Sequence, residues 1–172
     1  MKGAIANCLK ETMVSKFGQP KWDEIMIASG LKPNLSILVT MDIDDAIVGN
    51  IVMHSCKLTN SSLEKIGDLF GEYWMSSYAI KMYKPYYGTN SNAKDFILKL
   101  NEMHNKVTKN IPNANPPKFE FDWKNETTLV ITYISTRGLI DFVVGLAKGV
   151  GKYFNQKLIV RKISSTKVEI IF

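Results

Sequence analysis

Three prolines, Pro112, Pro116 and Pro117, divide this chain into two textures. Proline lacks an amide hydrogen and clashes with the preceding turn, so no helix runs through this segment. Before it the hydrophobic pattern is helical throughout. Ile5, Leu9 (or Cys8), Met13 and Phe17 form one stripe over residues 4–17, which ends at Gly18. Pro20 opens a second helix that closes at Gly30, and the acidic Asp42–Asp45 segment leads into a helix with Ile47, Val48, Ile51 and Val52. Ser61 or Ser62 caps a helix through Leu63, Ile66, Leu69 and Phe70, which passes Gly71 and continues as EYWMSSYAIKM. Tyr86, Tyr87, Gly88 and the polar TNSN segment read as a loop.

After the prolines, FEFDW (119–123) and TTLVITYIST (127–136) read as strands around a turn at Lys124–Glu126. A helix follows from about Leu139 to Asn155, and KLIVRKI and KVEIIF close the chain as a hairpin. The predicted class is α+β. A helical amino-terminal lobe, about residues 1–60, precedes an α/β lobe, about 61–172, whose antiparallel sheet of about four strands carries a packed helix.

Composition narrows the function. The 172 residues carry a net charge of +6, but the lysines are scattered and accompany no nucleic-acid motif, so nucleic acid is not an expected partner. Cys8 and Cys56 form no CxxC pair, as expected in a reducing cytoplasm, and no apolar run reaches the length of a membrane span. His54 and Cys56 share one helix two residues apart, on different sides of it, and make no ligand pair.

The stretch Asp95–Lys109 repeats apolar residues at Phe96, Leu100, Met103 and Val107, with Asn92 placed to cap it. His104 falls at the edge of that stripe. An apolar setting favours neutral imidazole, which serves either as a core hydrogen-bonding group or as a metal or haem-iron ligand. On strand 127–136, Tyr133, Ser135 and Arg137 share a face at two-residue spacing. A phenol, a hydroxyl and a guanidinium there suit either solvent or an anion with several acceptor oxygens.

Together these elements resemble the H-NOX family of haem nitric-oxide/oxygen-binding domains. The likeness spans the chain: Met1-Lys2-Gly3, Phe17-Gly18, Trp22, Asp42–Asp45, Phe70-Gly71, Leu100-Asn101, His104, Pro116-Pro117, Tyr133-Ile134-Ser135-Thr136-Arg137 and Gly145-Leu146. The resemblance implies a five-coordinate ferrous b-type haem between the lobes, with His104 as its iron ligand and Tyr133, Ser135 and Arg137 on its propionates. It implies that Pro117 presses on the porphyrin and that Asp45 pairs with Arg137. Ile5, Leu9, Trp74, Tyr78, Leu100, Phe142 and Leu146 are the further expected pocket residues.

Oxygen-holding members carry a tyrosine five residues past the motif arginine, where this chain has Phe142. The resemblance therefore implies a nitric-oxide sensor without catalytic activity. It further implies that NO binding weakens or breaks the iron–His104 bond, that the haem relaxes toward planarity against Pro117, and that the lobes shift. The signal would pass to a separate chain, a histidine kinase or a cyclic-di-GMP enzyme as in bacterial relatives. The competing readings are an O2 sensor using Trp74 or Tyr78 as donor, a peroxidase-like haem enzyme, and a haem-free interaction module with His104 in its core.

Overall fold

The computed structural model describes every residue except Gly88 and Thr89 and the side chain of Tyr87; of the loop expected over 86–92, those two residues lie outside the described ones, while Tyr86 and Tyr87 belong to the end of a helix instead. The chain divides into two compact units, Met1–Ile66 and Gly67–Phe172.

The first unit is helical: α1 (Gly3–Phe17), α2 (Gln19–Ala28) and α3 (Asp45–Leu58), followed by the start of α4 (Leu63–Tyr73). Gly18, at φ 85°, permits the abrupt change of direction between α1 and α2. The Asp44 carboxylate caps α3 by accepting from the Ala46 amide at 2.8 Å. Leu9, Met13, Trp22, Ile25, Met26 and Ile51 are fully buried and form its core.

In the second unit α4 runs into a π-helical turn, Trp74–Tyr78, and then α5 (Ala79–Tyr87), which kinks at Tyr83 two residues before Pro85. Next come α6 (Ala93–Leu98) and α7 (Leu100–Thr108). The single helix expected over 95–109 is thus two, broken at Lys99 with φ −91° and ψ 5°. The apolar stripe carries on across the break, which hides it from a periodicity reading. Asn92 caps α6 as expected, accepting from the Asp95 amide at 2.8 Å.

Strands β1 (Lys118–Trp123) and β2 (Thr128–Ile134), helix α8 (Ile140–Tyr153), and strands β3 (Ile159–Lys162) and β4 (Lys167–Ile171) complete the unit. The sheet is antiparallel, in the order β1-β2-β4-β3. Leu129, Ile131 and Tyr133 of β2 and Val168 and Ile170 of β4 share a core with Phe96 and Ile97 of α6 and Val144 and Ala147 of α8.

Glycines let α4 and α8 touch backbone to backbone. A Cβ on Gly71 would lie 2.0 Å from the Gly145 carbonyl carbon, and one on Gly145 would lie 1.9 Å from the Gly67 carbonyl oxygen. Ion pairs flank the crossing, Lys148–Asp68 at 3.0 Å and Lys152–Glu72 at 2.7 Å. Gly145→Ala is expected to force the helices apart and cost about 3 kcal/mol or more, above ordinary overpacking because the obstacle is main chain. Gly49→Ala is the contrast. It sits on an exposed part of α3 with nothing within 4 Å of its Cβ, so it should gain up to ~1 kcal/mol. Urea unfolding of both variants checks the pair.

Candidate functional site

His104 lies on α7, half-buried, with Nδ1 3.3 Å from the Pro117 carbonyl oxygen. A carbonyl only accepts, so Nδ1 carries the hydrogen and the neutral ring keeps its lone pair on Nε2. Nε2 makes no hydrogen bond among the described residues. Burial pushes the imidazole below its ordinary range and outweighs the bond to Pro117, which pulls the other way. The group is therefore a neutral nitrogen donor with one position open.

Asn101, one turn earlier, holds α7 to β1. Its Nδ2 donates to the Phe119 carbonyl at 2.7 Å, and its Oδ1 accepts from the Phe119 amide at 2.9 Å. The Phe119 ring lies between the other two parts of the site, with its centroid 5.8 Å from His104 and 6.0 Å from Tyr133. Tyr133 is 4 % exposed, and its hydroxyl makes no hydrogen bond among the described residues.

The Tyr-x-Ser-x-Arg motif differs in one respect from the expected single strand. β2 ends at Ile134, and Arg137 sits in a turn, with Gly138 following at φ 65°. Two-residue alternation therefore places Tyr133 but not Arg137. The turn brings the Arg137 amide to Ser135 Oγ at 3.3 Å, and the guanidinium Nη1 donates to the Asn115 carbonyl at 2.8 Å. That bond ties the motif to the segment just before Pro117.

On α8, Phe142 is buried, with its ring 4.8 Å from Phe70. Phe70 stacks on Trp74 at 5.6 Å, and Trp74 lies 5.3 Å from Tyr78 and 6.1 Å from Tyr83. Leu100 and Leu146 are half-buried. Ile5 and Leu9 lie on α1 of the first unit, half-buried and fully buried respectively. In that unit the Asp45 carboxylate meets the amino terminus of Met1 at 2.7 Å.

Sequence reasoning missed three features: the Asn101 clamp, the Asn115 carbonyl behind Arg137, and Lys162, which donates to both oxygens of the buried Asp141 at 2.8 and 3.1 Å. An asparagine three residues before the histidine was a usable signal for the first. A backbone carbonyl leaves none.

Among the described residues no group of three or more His, Cys, Asp or Glu side chains is arranged for a metal ion, and no helix is long and apolar enough to cross a membrane. No curated protein matches the sequence. Solved structures do match in fold. A Cs H-NOX carrying a cyano-phenylalanine superposes with a TM-score of 0.87 at 24% identity, over 100% of this chain and 96% of that one. An isoleucine-to-phenylalanine variant of the T. tengcongensis H-NOX gives 0.85 at 24%, over 100% and 97%. An oxygen-binding H-NOX domain related to soluble guanylate cyclases, in its oxygen complex, gives 0.82 at 24%, over 100% and 95%. The family model described as Haem-NO-binding matches residues 2–162, and the chain belongs to that family, the H-NOX haem-binding gas sensors.

Proposed function

We propose that this domain binds one b-type haem through His104 Nε2 and senses nitric oxide. The observation that carries the reading is the His104–Pro117 hydrogen bond, which fixes the tautomer and leaves a neutral nitrogen donor facing no protein partner among the described residues. The rest of the donor set fits the same group. Tyr133 and Ser135 offer hydroxyl hydrogens and Arg137 a guanidinium for two propionates, while Leu100, Phe142 and Leu146 supply apolar surface. Haem, when bound, supplies an iron with one position for the imidazole and one for a gas.

The case for NO rests on Phe142. A bound O2 is polarised and gains from a hydrogen-bond donor, which a phenyl ring does not provide, whereas NO needs none. No histidine, carboxylate or arginine stands among the residues proposed for the gas side, so peroxidase-like acid–base chemistry has no obvious agent there. The output would pass to a separate cytoplasmic protein, a histidine kinase or a cyclic-di-GMP enzyme. One observation favours O2 as a second reading: Trp74 belongs to the same aromatic cluster as Phe142, and its indole N–H has no partner among the described residues.

His104→Ala should purify without haem unless imidazole is added, while His54→Ala should keep it. Equal haem content in the two, read from the Soret band, would dismiss His104 as the ligand. Charge-assisted bonds are worth about 1.5–3 kcal/mol each. Arg137→Ala should therefore lose haem to an acceptor protein about ten times faster or more, with Ser135→Ala affected less and Arg137→Lys only partly restored. Reduced wild-type protein exposed to air should form no lasting oxy spectrum yet bind NO. Phe142→Tyr should raise O2 affinity by about one to two decades, the worth of a hydrogen bond of roughly 1–3 kcal/mol. A stable oxy spectrum in the wild type would favour the O2 reading and make Trp74→Phe the next variant.

A further inference from the structure

We propose that Asn101 is a positioning residue for His104. It would set the direction of the Nε2 lone pair by locking α7 to the edge of the sheet. The inference rests on the reading of His104 as the iron ligand.

Strand β1 is an edge of the sheet, and Phe119 pairs with Tyr133. The Tyr133 amide donates to Thr166, away from β1, at 2.7 Å. The Phe119–Tyr133 pair is therefore a non-hydrogen-bonded one, and the N–H and C=O of Phe119 point off the open edge. The Asn101 side-chain amide presents a donor and an acceptor side by side and satisfies both. One turn on, His104 Nδ1 bonds to Pro117, two residues before Phe119. Three hydrogen bonds thus join two points on the helix to Phe119 of the strand and to Pro117 just before it, which restrains the rotation of α7 about its axis.

Apolar contact adds only part of the fastening: Leu100 and Met103 pack against the core, but neither is fully buried. The helix is nine residues long, contains no fully buried residue, and is severed from α6 at Lys99. A helix this short draws its stability from tertiary contacts. The bond to Pro117 is single and 3.3 Å long, so on its own it lets the ring swing, whereas the two Asn101 bonds at 2.7 and 2.9 Å do not. The competing role for Asn101 is to close an edge strand against unwanted pairing. That role would leave the imidazole indifferent to the substitution.

The experiment uses haem-loaded protein and three readouts: hydrogen exchange of the Phe119 amide, the iron–histidine stretching band of the ferrous form, and the rate of haem transfer to an acceptor. Asn101→Ala is expected to speed Phe119 exchange about tenfold or more, to shift or broaden the band, and to raise haem loss several-fold. Asn101→Asp keeps the acceptor for the Phe119 amide but sets a carboxylate against the Phe119 carbonyl. It should hold the amide protected and still move the band. Faster Phe119 exchange with an unchanged band and unchanged haem loss would reduce Asn101 to an edge cap and overturn the proposal. If the alanine variant does not fold, an unmoved band in Asn101→Asp overturns it equally. A wild-type band that His104→Gly leaves in place would instead defeat the ligand reading, and this proposal with it.

Discussion

The hydrogen bond between His104 Nδ1 and the Pro117 carbonyl makes one residue serve two purposes. As a proline, residue 117 keeps the chain out of a helix and leads directly into β1, which starts at Lys118. As a hydrogen-bond acceptor, its carbonyl decides which imidazole nitrogen holds the hydrogen and therefore leaves Nε2 as the nitrogen proposed to bind iron. The proposed iron ligand and the proline expected to touch the porphyrin are one hydrogen bond apart. Arg137 joins the same neighbourhood through the Asn115 carbonyl, so both ends of the Tyr-x-Ser-x-Arg motif lean on the segment around Pro117.

The other side of the unit is built on different physics. Contact between the main chains of α4 and α8, made possible by Gly67, Gly71 and Gly145, sets Phe142 against Phe70. The π-helical turn then adds a residue to the local repeat and places Trp74 within ring contact of Phe70, Tyr78 and Tyr83 together. Lys162 holds Asp141 in the first turn of α8, next to Phe142. Packing fixes the side chains directly.

Most of the architecture was legible because it follows from periodicity and punctuation. The prolines, the glycine stops and the Asn92 cap marked the change from helices to sheet, and the strand and helix spacings gave the α+β class. What escaped was set by geometry that has no period. The break at Lys99 preserves the apolar stripe on both sides, so one helix and two look alike in sequence. The strand end at Ile134 depends on a turn whose bonds run from a backbone amide to Ser135 and from Arg137 to a backbone carbonyl. The π-turn is an insertion in register with no residue signature of its own. Candidate residues could be named from the motif, but only the fold relates His104, Phe119 and Tyr133 as neighbours.

The two sides also differ in stiffness, and the difference follows from what holds each. Helix α8 has nine buried residues, among them Ile140, Phe142, Val144 and Val150. Displacing it would expose side chains worth about 1.5–3 kcal/mol each. Helix α7 has none that is fully buried; Leu100 and Met103 pack partly against the core, and the side-chain hydrogen bonds of Asn101 and His104 add roughly 0.5–1.5 kcal/mol net each. A force applied at His104 Nε2 is therefore taken up by α7, its clamp and the start of β1 well before α8 yields. Strand β1 pairs with β2 along its whole length, so the strain passes to the strand that carries Tyr133 and leads into Ser135 and Arg137. In this unit the more polar fastening lies where a pull at His104 would act under the proposed function, and the apolar packing lies where that reading puts the wall of the gas pocket.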